Sequence, residues 1–147
     1  MEHNRNTQPC ENITRGVCRL LCEMGQQVLC EFRLTSSRRV DILAIDRTGR
    51  FTIVEVKSSL SDFRGDHKWP EYIPYCDCFY FAVNTDFPND ALPTEHGLIV
   101  ADRYDAIIHR TGGAHPMNPQ RRRAQTLRFA RTAAGRLQRR LDPVHSD

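Results

Sequence analysis

Residues 38–57 read RRVDILAIDRTGRFTIVEVK, two apolar runs joined by a short polar link. Each run is short and rich in β-branched residues, and Arg47, Thr48 and Gly49 between them supply a glycine able to take positive φ, so the stretch is a β-hairpin. With a three-residue loop, Asp46 pairs with Arg50, Leu43 meets Ile53, and Ile45 meets Phe51. Val40, Ile42 and Ala44 then face Val56, Val54 and Thr52 on the reverse side. This register sets Asp41 directly across from Glu55. A two-residue loop would slip the pairing by one residue and send Asp41 to the other face.

Both faces of the hairpin are apolar except at this one end. Side chains two apart on a strand point the same way, so Lys57 shares the face of Glu55 and Asp41. Two carboxylates and an ammonium therefore converge in a strand otherwise fit for a core. Burying uncompensated charge costs several kcal/mol and adjacent carboxylates repel, so the cluster calls for a cation. A hard divalent ion such as Mg²⁺ takes one or two carboxylates, keeps several waters and accepts phosphate oxygens. A lone E-x-K on a strand is ordinarily a surface ion pair; the apolar surroundings and the matched aspartate set this one apart.

Outward from the hairpin, Ile13, Val17, Leu20, Leu21 and Met24 recur at helical spacing before Gly25, which predicts a helix from about Glu11 to Met24. Val28, Cys30, Phe32 and Leu34 alternate as one face of a strand, with Glu31 and Arg33 on the other. After Lys57, SSLSDFRGDHKWPEYIPYC predicts short helical turns broken near Gly65 and restarted around Pro70. CFYFAV and GLIVA are further strands, DAIIHR pairs back on GLIVA through the turn at residues 102–105, and TGGAHPMNP is a linker. From Gln120 to Leu141 a last helix carries Ala124, Leu127, Ala130, Ala134, Leu137 and Leu141 along one stripe. The expected architecture is a single α/β domain over residues 11–141, a mixed sheet flanked by helices, with flexible ends at 1–10 and 142–147.

The 147-residue chain is one domain's worth, and no apolar run approaches the length of a membrane span. Met1 to Pro9 is polar without the apolar centre of a signal peptide, so the expected location is the cytoplasm. Six cysteines without C-x2-C spacing read as reduced thiols and small buried hydrophobes rather than as disulfides or a zinc centre. Charge is uneven: 12 Lys and Arg against 16 Asp and Glu up to Asp105, but 9 Arg against 2 Asp from Ala106 onward.

The pattern of Val40-Asp41, a hairpin, and Glu55-Val56-Lys57 after one helix and one strand resembles the PD-(D/E)XK nuclease superfamily and its αβββαβ core, with Val40 at the proline position. HKWPEY resembles the Q-x3-Y motif of RecB-like members, with Lys68 in place of glutamine and Tyr72 as the tyrosine. More closely, TRGVCRLL, VEVKSS, DFRGDHKWPEY, YCDCFYFAV, GLIVAD and TLRFAR look like MmcB-type DNA repair proteins, a bacterial family, across residues 14–131.

This resemblance implies a metal-dependent DNA nuclease or a nuclease-like protein of DNA repair. Asp41 and Glu55, with the carbonyl of Val56, would ligate Mg²⁺ or Mn²⁺, and Lys57 would orient the attacking water and offset charge on the phosphorane. Lys68 and Tyr72, expected on one helix face, would grip a phosphate. Many members add a glutamate from the first helix; Glu11 stands near its start, Glu23 near its end, and Glu31 on the first strand is the alternative third carboxylate. Between Arg121 and Arg140 lie eight arginines and no acid. Arg121, Arg122, Arg123, Arg128 and Arg131 are accordingly the expected DNA phosphate contacts, without base readout. The same helix read otherwise is plain packing or a membrane-surface helix. A weak or inactive DNA-binding adaptor on the same fold is the alternative function. A homodimer would let two sites address both strands, though no residue demands it.

Overall fold

The computed structural model describes residues 7–145. Helix α1 (Thr7–Glu23) leads into a meander of β1 (Gln27–Arg33), β2 (Arg39–Ile45) and β3 (Phe51–Lys57). A helical crossover of α2 (Leu60–Gly65) and a 3-10 turn (Trp69–Tyr75) returns the chain to β4 (Cys78–Val83). Then follow β5 (Gly97–Ala101), β6 (Ala106–Arg110), α3 (Pro119–Leu141) and a 3-10 turn at Pro143–His145. The six strands lie in sequence order in one sheet. Its pairs β3–β4 and β4–β5 are parallel and the rest antiparallel, giving the mixed α/β sheet the sequence predicts.

α1 begins four residues ahead of the expected Glu11, so residues 7–10 are helical; the remainder of the expected N-terminal tail, and residues 146–147 of the C-terminal one, lie outside the described residues. The helix ends where the sequence indicates. Gly25, at φ 84°, turns the chain out of it while the Gln26 N–H bonds back to the Leu21 carbonyl.

The hairpin register is the one the three-residue loop dictates. Ile45 pairs with Phe51, Leu43 with Ile53 and Ile42 with Val54, the Asp46 N–H bonds to the Arg50 carbonyl, and Gly49 holds φ at 87°. The ladder then stops one residue short of Asp41 and Glu55. Expected facing of Val40 and Val56 fails here: Val40 joins the cluster of Phe32, Leu43 and Phe51, whereas Val56 joins the cluster under α1.

β1 breaks its alternation at the same level. Cys30 and Val28 pack toward α1, but Phe32 and Leu34 are buried on the opposite side of the sheet. The expected single face of four is thus divided. The cause is Glu31, whose φ of 50° rotates the chain between Cys30 and Phe32. The sheet is therefore irregular at the point where its charged residues sit.

Two cores sandwich the sheet. Under α1, Ile13, Val17 and Leu21 meet Ile42, Val54, Ala82 and Ile99. On the other face, Phe79, Phe81, Ile53 and Leu98 are covered by the helical crossover and by Phe129 of α3. Trp69 stacks on Phe79 with ring centroids 5.8 Å apart and meets Phe81 edge-on at 5.2 Å, and Phe63 meets Phe81 at 5.5 Å. These contacts fix the crossover, and with it the residues it presents to the end of β3.

The stripe expected to pack α3 faces outward instead. Leu127, Leu137 and Leu141 are 62%, 58% and 72% exposed, while the buried side holds Gln125, whose amide donates to the Tyr75 carbonyl at 2.8 Å, and the half-buried Phe129. Arginines do the remaining anchoring. Arg128 donates to the Arg33 carbonyl, and Arg136 to the carbonyls of Cys30 and Glu31, capping edge strand β1. Arg122 forks onto Asp77, which also accepts the Phe51 N–H at 2.7 Å and the Met117 N–H at 3.3 Å.

Candidate active site

Where the β2–β3 ladder ends, side chains take the place of the next backbone pair. Asp41 Oδ2 accepts the Val56 N–H at 2.8 Å, and Glu55 Oε1 accepts the Asp41 N–H at 2.9 Å. Each acid is thereby held by the other strand's backbone. Among the described residues, Asp41 Oδ1 and Glu55 Oε2 have no hydrogen-bond partner, so two carboxylate oxygens remain available.

Electrostatics follow from burial. Glu55 is 5% exposed, and burial, reinforced by the charge of Asp41, pushes its pKa up to about 9. Burial likewise raises Asp41, against the opposing hydrogen bond from Val56 and the charge of Lys57. Glu55 therefore retains its proton at neutral pH in the absence of a cation.

Lys57 does not neutralise them. It is 5% exposed and its Nζ donates to Asp66 Oδ2 at 2.5 Å, with Asp62 Oδ1 at 4.0 Å. Burial pulls the ammonium pKa down, but the Asp66 hydrogen bond and the two aspartate charges outweigh it and hold it above the ordinary lysine value. Asp66 is itself depressed, because the hydrogen bonds from Lys57 and the Lys68 N–H overcome the effect of burial. Four carboxylates thus surround one ammonium.

Asp41, Glu55 and Lys57 line two adjoining clefts. One, of about 440 Å³, lies toward the crossover and includes Arg39, Asp66, Lys68 and Tyr72. The other, of about 860 Å³, lies toward α1 and includes Glu11, Arg15, Cys18, Cys30 and Glu31. The structure therefore brings all five expected catalytic residues together. Lys68 and Tyr72 do not share an α-helical face as expected: Lys68 is the exposed residue preceding a 3-10 turn, and Tyr72, 4% exposed, is inside it. Burial, then the charges of Glu55, Asp66 and Asp41, push the Tyr72 phenol up to about 12.

Asp41 and Glu55 are the residues that could hold a hard divalent cation, since such an ion accepts two carboxylates and completes its shell with water. Their free oxygens and the local excess of negative charge fit it. Glu11 and Glu31 line the α1-side cleft, but no group of three or more His, Cys, Asp or Glu side chains clusters closely enough to form a metal site among the described residues.

Sequence reasoning missed Asp62 and Asp66. A lysine at a core-strand position requires a carboxylate nearby, and the acids in SDFRGD were the available signal. It also misplaced part of the basic surface. Arg122 and Arg128 are committed to Asp77, the Gly49 carbonyl and the Arg33 carbonyl, and Arg121 lies 4.7 Å over the Tyr75 ring, leaving Arg123 and Arg131 as the exposed members of the expected set. None of the five lines either cleft. Arg15, Arg39 and Lys68 do, and their side chains form no ion pair among the described residues.

A mixed six-stranded sheet with an acid pair and a lysine at the break between its second and third strands defines the class of α/β protein. The chain belongs to the MmcB-like family, whose model, described as DNA repair protein MmcB-like, matches residues 1–144. It is similar to the solved structure of the SPO1766 protein of unknown function from Silicibacter pomeroyi, with a TM-score of 0.90 and 38% sequence identity over 95% of this chain and 96% of that one. No curated protein matches. Among the described residues no helix is long and apolar enough to cross a membrane.

Proposed function

We propose that the protein is a Mg²⁺- or Mn²⁺-dependent deoxyribonuclease acting in DNA repair, with Asp41 and Glu55 as metal ligands. The observation that carries this reading is a buried carboxylate, Glu55, beside a half-buried one, Asp41, held by crossed backbone hydrogen bonds, each with one oxygen free. A divalent cation there supplies Lewis-acid polarisation of a phosphodiester and lowers the pKa of a bound water. The chain's own residues do the rest. Asp41 and Glu55 would hold the cation, Glu55 giving up the proton that burial keeps on it, and the Val56 carbonyl would be the third protein donor that the resemblance implies. Lys57, kept protonated by Asp66, cannot act as a base; its ammonium orients water and offsets charge developing on the phosphorane.

DNA reaches the acids across the cleft mouth, where Arg15, Arg39 and Lys68 meet phosphates and Tyr72 positions the backbone. Arg123 and Arg131 add distant, salt-sensitive contacts. Single-stranded, nicked, flapped and damaged DNA incubated with Mg²⁺ or Mn²⁺ is cleaved by the native protein and by none of Asp41→Ala, Glu55→Ala and Lys57→Ala. Cleavage surviving all three substitutions rules the site out.

Among the described residues no three acid, His or Cys side chains cluster as a metal site, and this favours a second reading, a DNA-binding adaptor of the damage response with little or no turnover. Calorimetric titration with Mn²⁺ separates the two. Heat of binding that disappears in Asp41→Ala supports the nuclease, whereas no metal binding together with salt-sensitive DNA binding supports the adaptor.

A further inference from the structure

Leu127, Ala130, Ala134, Leu137 and Leu141 of α3 follow one another at intervals of three, four, three and four, which is the spacing of a coiled-coil seam. They lie on a different side of the helix from Arg122, Gln125, Phe129 and Arg136, which make the contacts with the sheet and the crossover. The three leucines are each more than half exposed, and Val144 beyond them is 79% exposed. A solvated helix on a monomer has no need of such a seam, because its anchoring is already complete without it.

Charge identifies what covers the seam. Arg131 and Arg140 occupy its two rims, and α3 contains no acid. A second copy laid along the seam would bring arginine against arginine with nothing to offset them. A phosphate backbone would meet the arginines but gain nothing from three leucines. An amphipathic helix with apolar residues at seam positions and glutamates on its rims satisfies both features.

We infer that the outer face of α3 is a docking surface for an acidic amphipathic helix of a partner protein, packed as a two-stranded coiled coil through Leu127, Leu137 and Leu141. The alanines between the leucines let the two helices approach closely. The surface is on a different element from the acid pair but shares Arg131 with the distant DNA contacts, so the leucine substitutions are the ones that separate docking from DNA cleavage.

The probe is a synthetic four-heptad peptide with leucine at the seam positions and glutamate at both rims, titrated into the full chain by fluorescence anisotropy. Binding is expected at micromolar concentration. It weakens at least tenfold in Leu127→Asp/Leu137→Asp, at positions whose exposure leaves the fold intact by circular dichroism. It weakens similarly in Arg131→Glu/Arg140→Glu, and for that variant it returns when the peptide's rim glutamates are replaced by lysine. Absence of binding, or binding that neither pair of substitutions alters, overturns the inference. So does a dimer in sedimentation velocity that Leu127→Asp/Leu137→Asp dissolves, which would make a second copy the occupant. Leucine-dependent binding to phosphatidylcholine vesicles containing phosphatidylglycerol, without peptide binding, overturns it in favour of a membrane surface.

Discussion

Replacing Glu55 with glutamine should make the metal-free protein more stable. In the folded chain this carboxyl titrates at about 9, against 4.5 when unperturbed. The sign follows from linkage: with its folded pKa raised, Glu55 imposes no penalty below its unfolded value, and stability is lost as pH rises toward the folded value. The loss is about 1.4 kcal/mol per pH unit across that window, so at pH 7 it reaches about 3 kcal/mol. Glutamine keeps the shape and still offers an Oε1 to the Asp41 N–H, which now lies 2.9 Å from the carboxylate. It also removes the proton uptake that folding demands of Glu55 between its unfolded and folded pKa values. Thermal unfolding in EDTA at pH 7 should therefore show Glu55→Gln melting higher by on the order of 10 °C. Near pH 5 the gap should narrow to less than about 1 kcal/mol. Adding Mn²⁺ should raise the melting temperature of the native protein and leave that of the variant unchanged. A variant that melts at or below the native protein in EDTA throughout pH 5–9 would refute the view that two crowded, desolvated acids share this notch.

Asp66→Asn leaves an amide oxygen to accept from Lys57 but removes the negative charge that pairs with its buried ammonium, and should cost about 2–3 kcal/mol in urea unfolding at pH 7. Because the folded pKa of Asp66 is depressed, the native protein holds this contribution above the ordinary aspartate range and loses it on acidification, a step absent from the variant. Arg122→Ala leaves Asp77 buried without its guanidinium and should cost about 3 kcal/mol by the same measurement, with Arg122→Lys recovering only part because it cannot fork onto both oxygens. Cys18 Sγ lies 3.6 Å from Cys30 Sγ, so either thiol can donate to the other; with Cys18 as the donor, the hydrogen bond brings the Cys30 thiol down to about 7 while Cys18 is driven up. Iodoacetamide followed by peptide mass mapping should therefore modify Cys30 ahead of Cys18 and Cys76, with a rate that rises through about pH 7.

Much of the molecule is written in local pattern. The hairpin at Gly49 fixes its own register, because loop length and the alternation of Ile42, Leu43, Ile53 and Val54 admit one pairing, which brings Asp41 and Glu55 to the end of the ladder, where their crossed backbone hydrogen bonds take over. The end of α1 at Gly25 and the crossover broken at Gly65 are equally local, set by glycine and proline. Tertiary structure decided what local pattern leaves open. Alternation in β1 predicts one face for Val28 to Leu34, yet Glu31 takes a left-handed conformation and divides them between two cores. The Ala/Leu stripe of α3 obeys helical periodicity as well as any core face, but the side that packs is chosen by partners distant in sequence: Asp77 for Arg122, the Tyr75 carbonyl for Gln125, and the open carbonyls of β1 for Arg128 and Arg136. Periodicity records which residues share a face. Which face is buried depends on buried polar groups elsewhere that must find partners, and for α3 those groups took the arginine side and left the leucines to water.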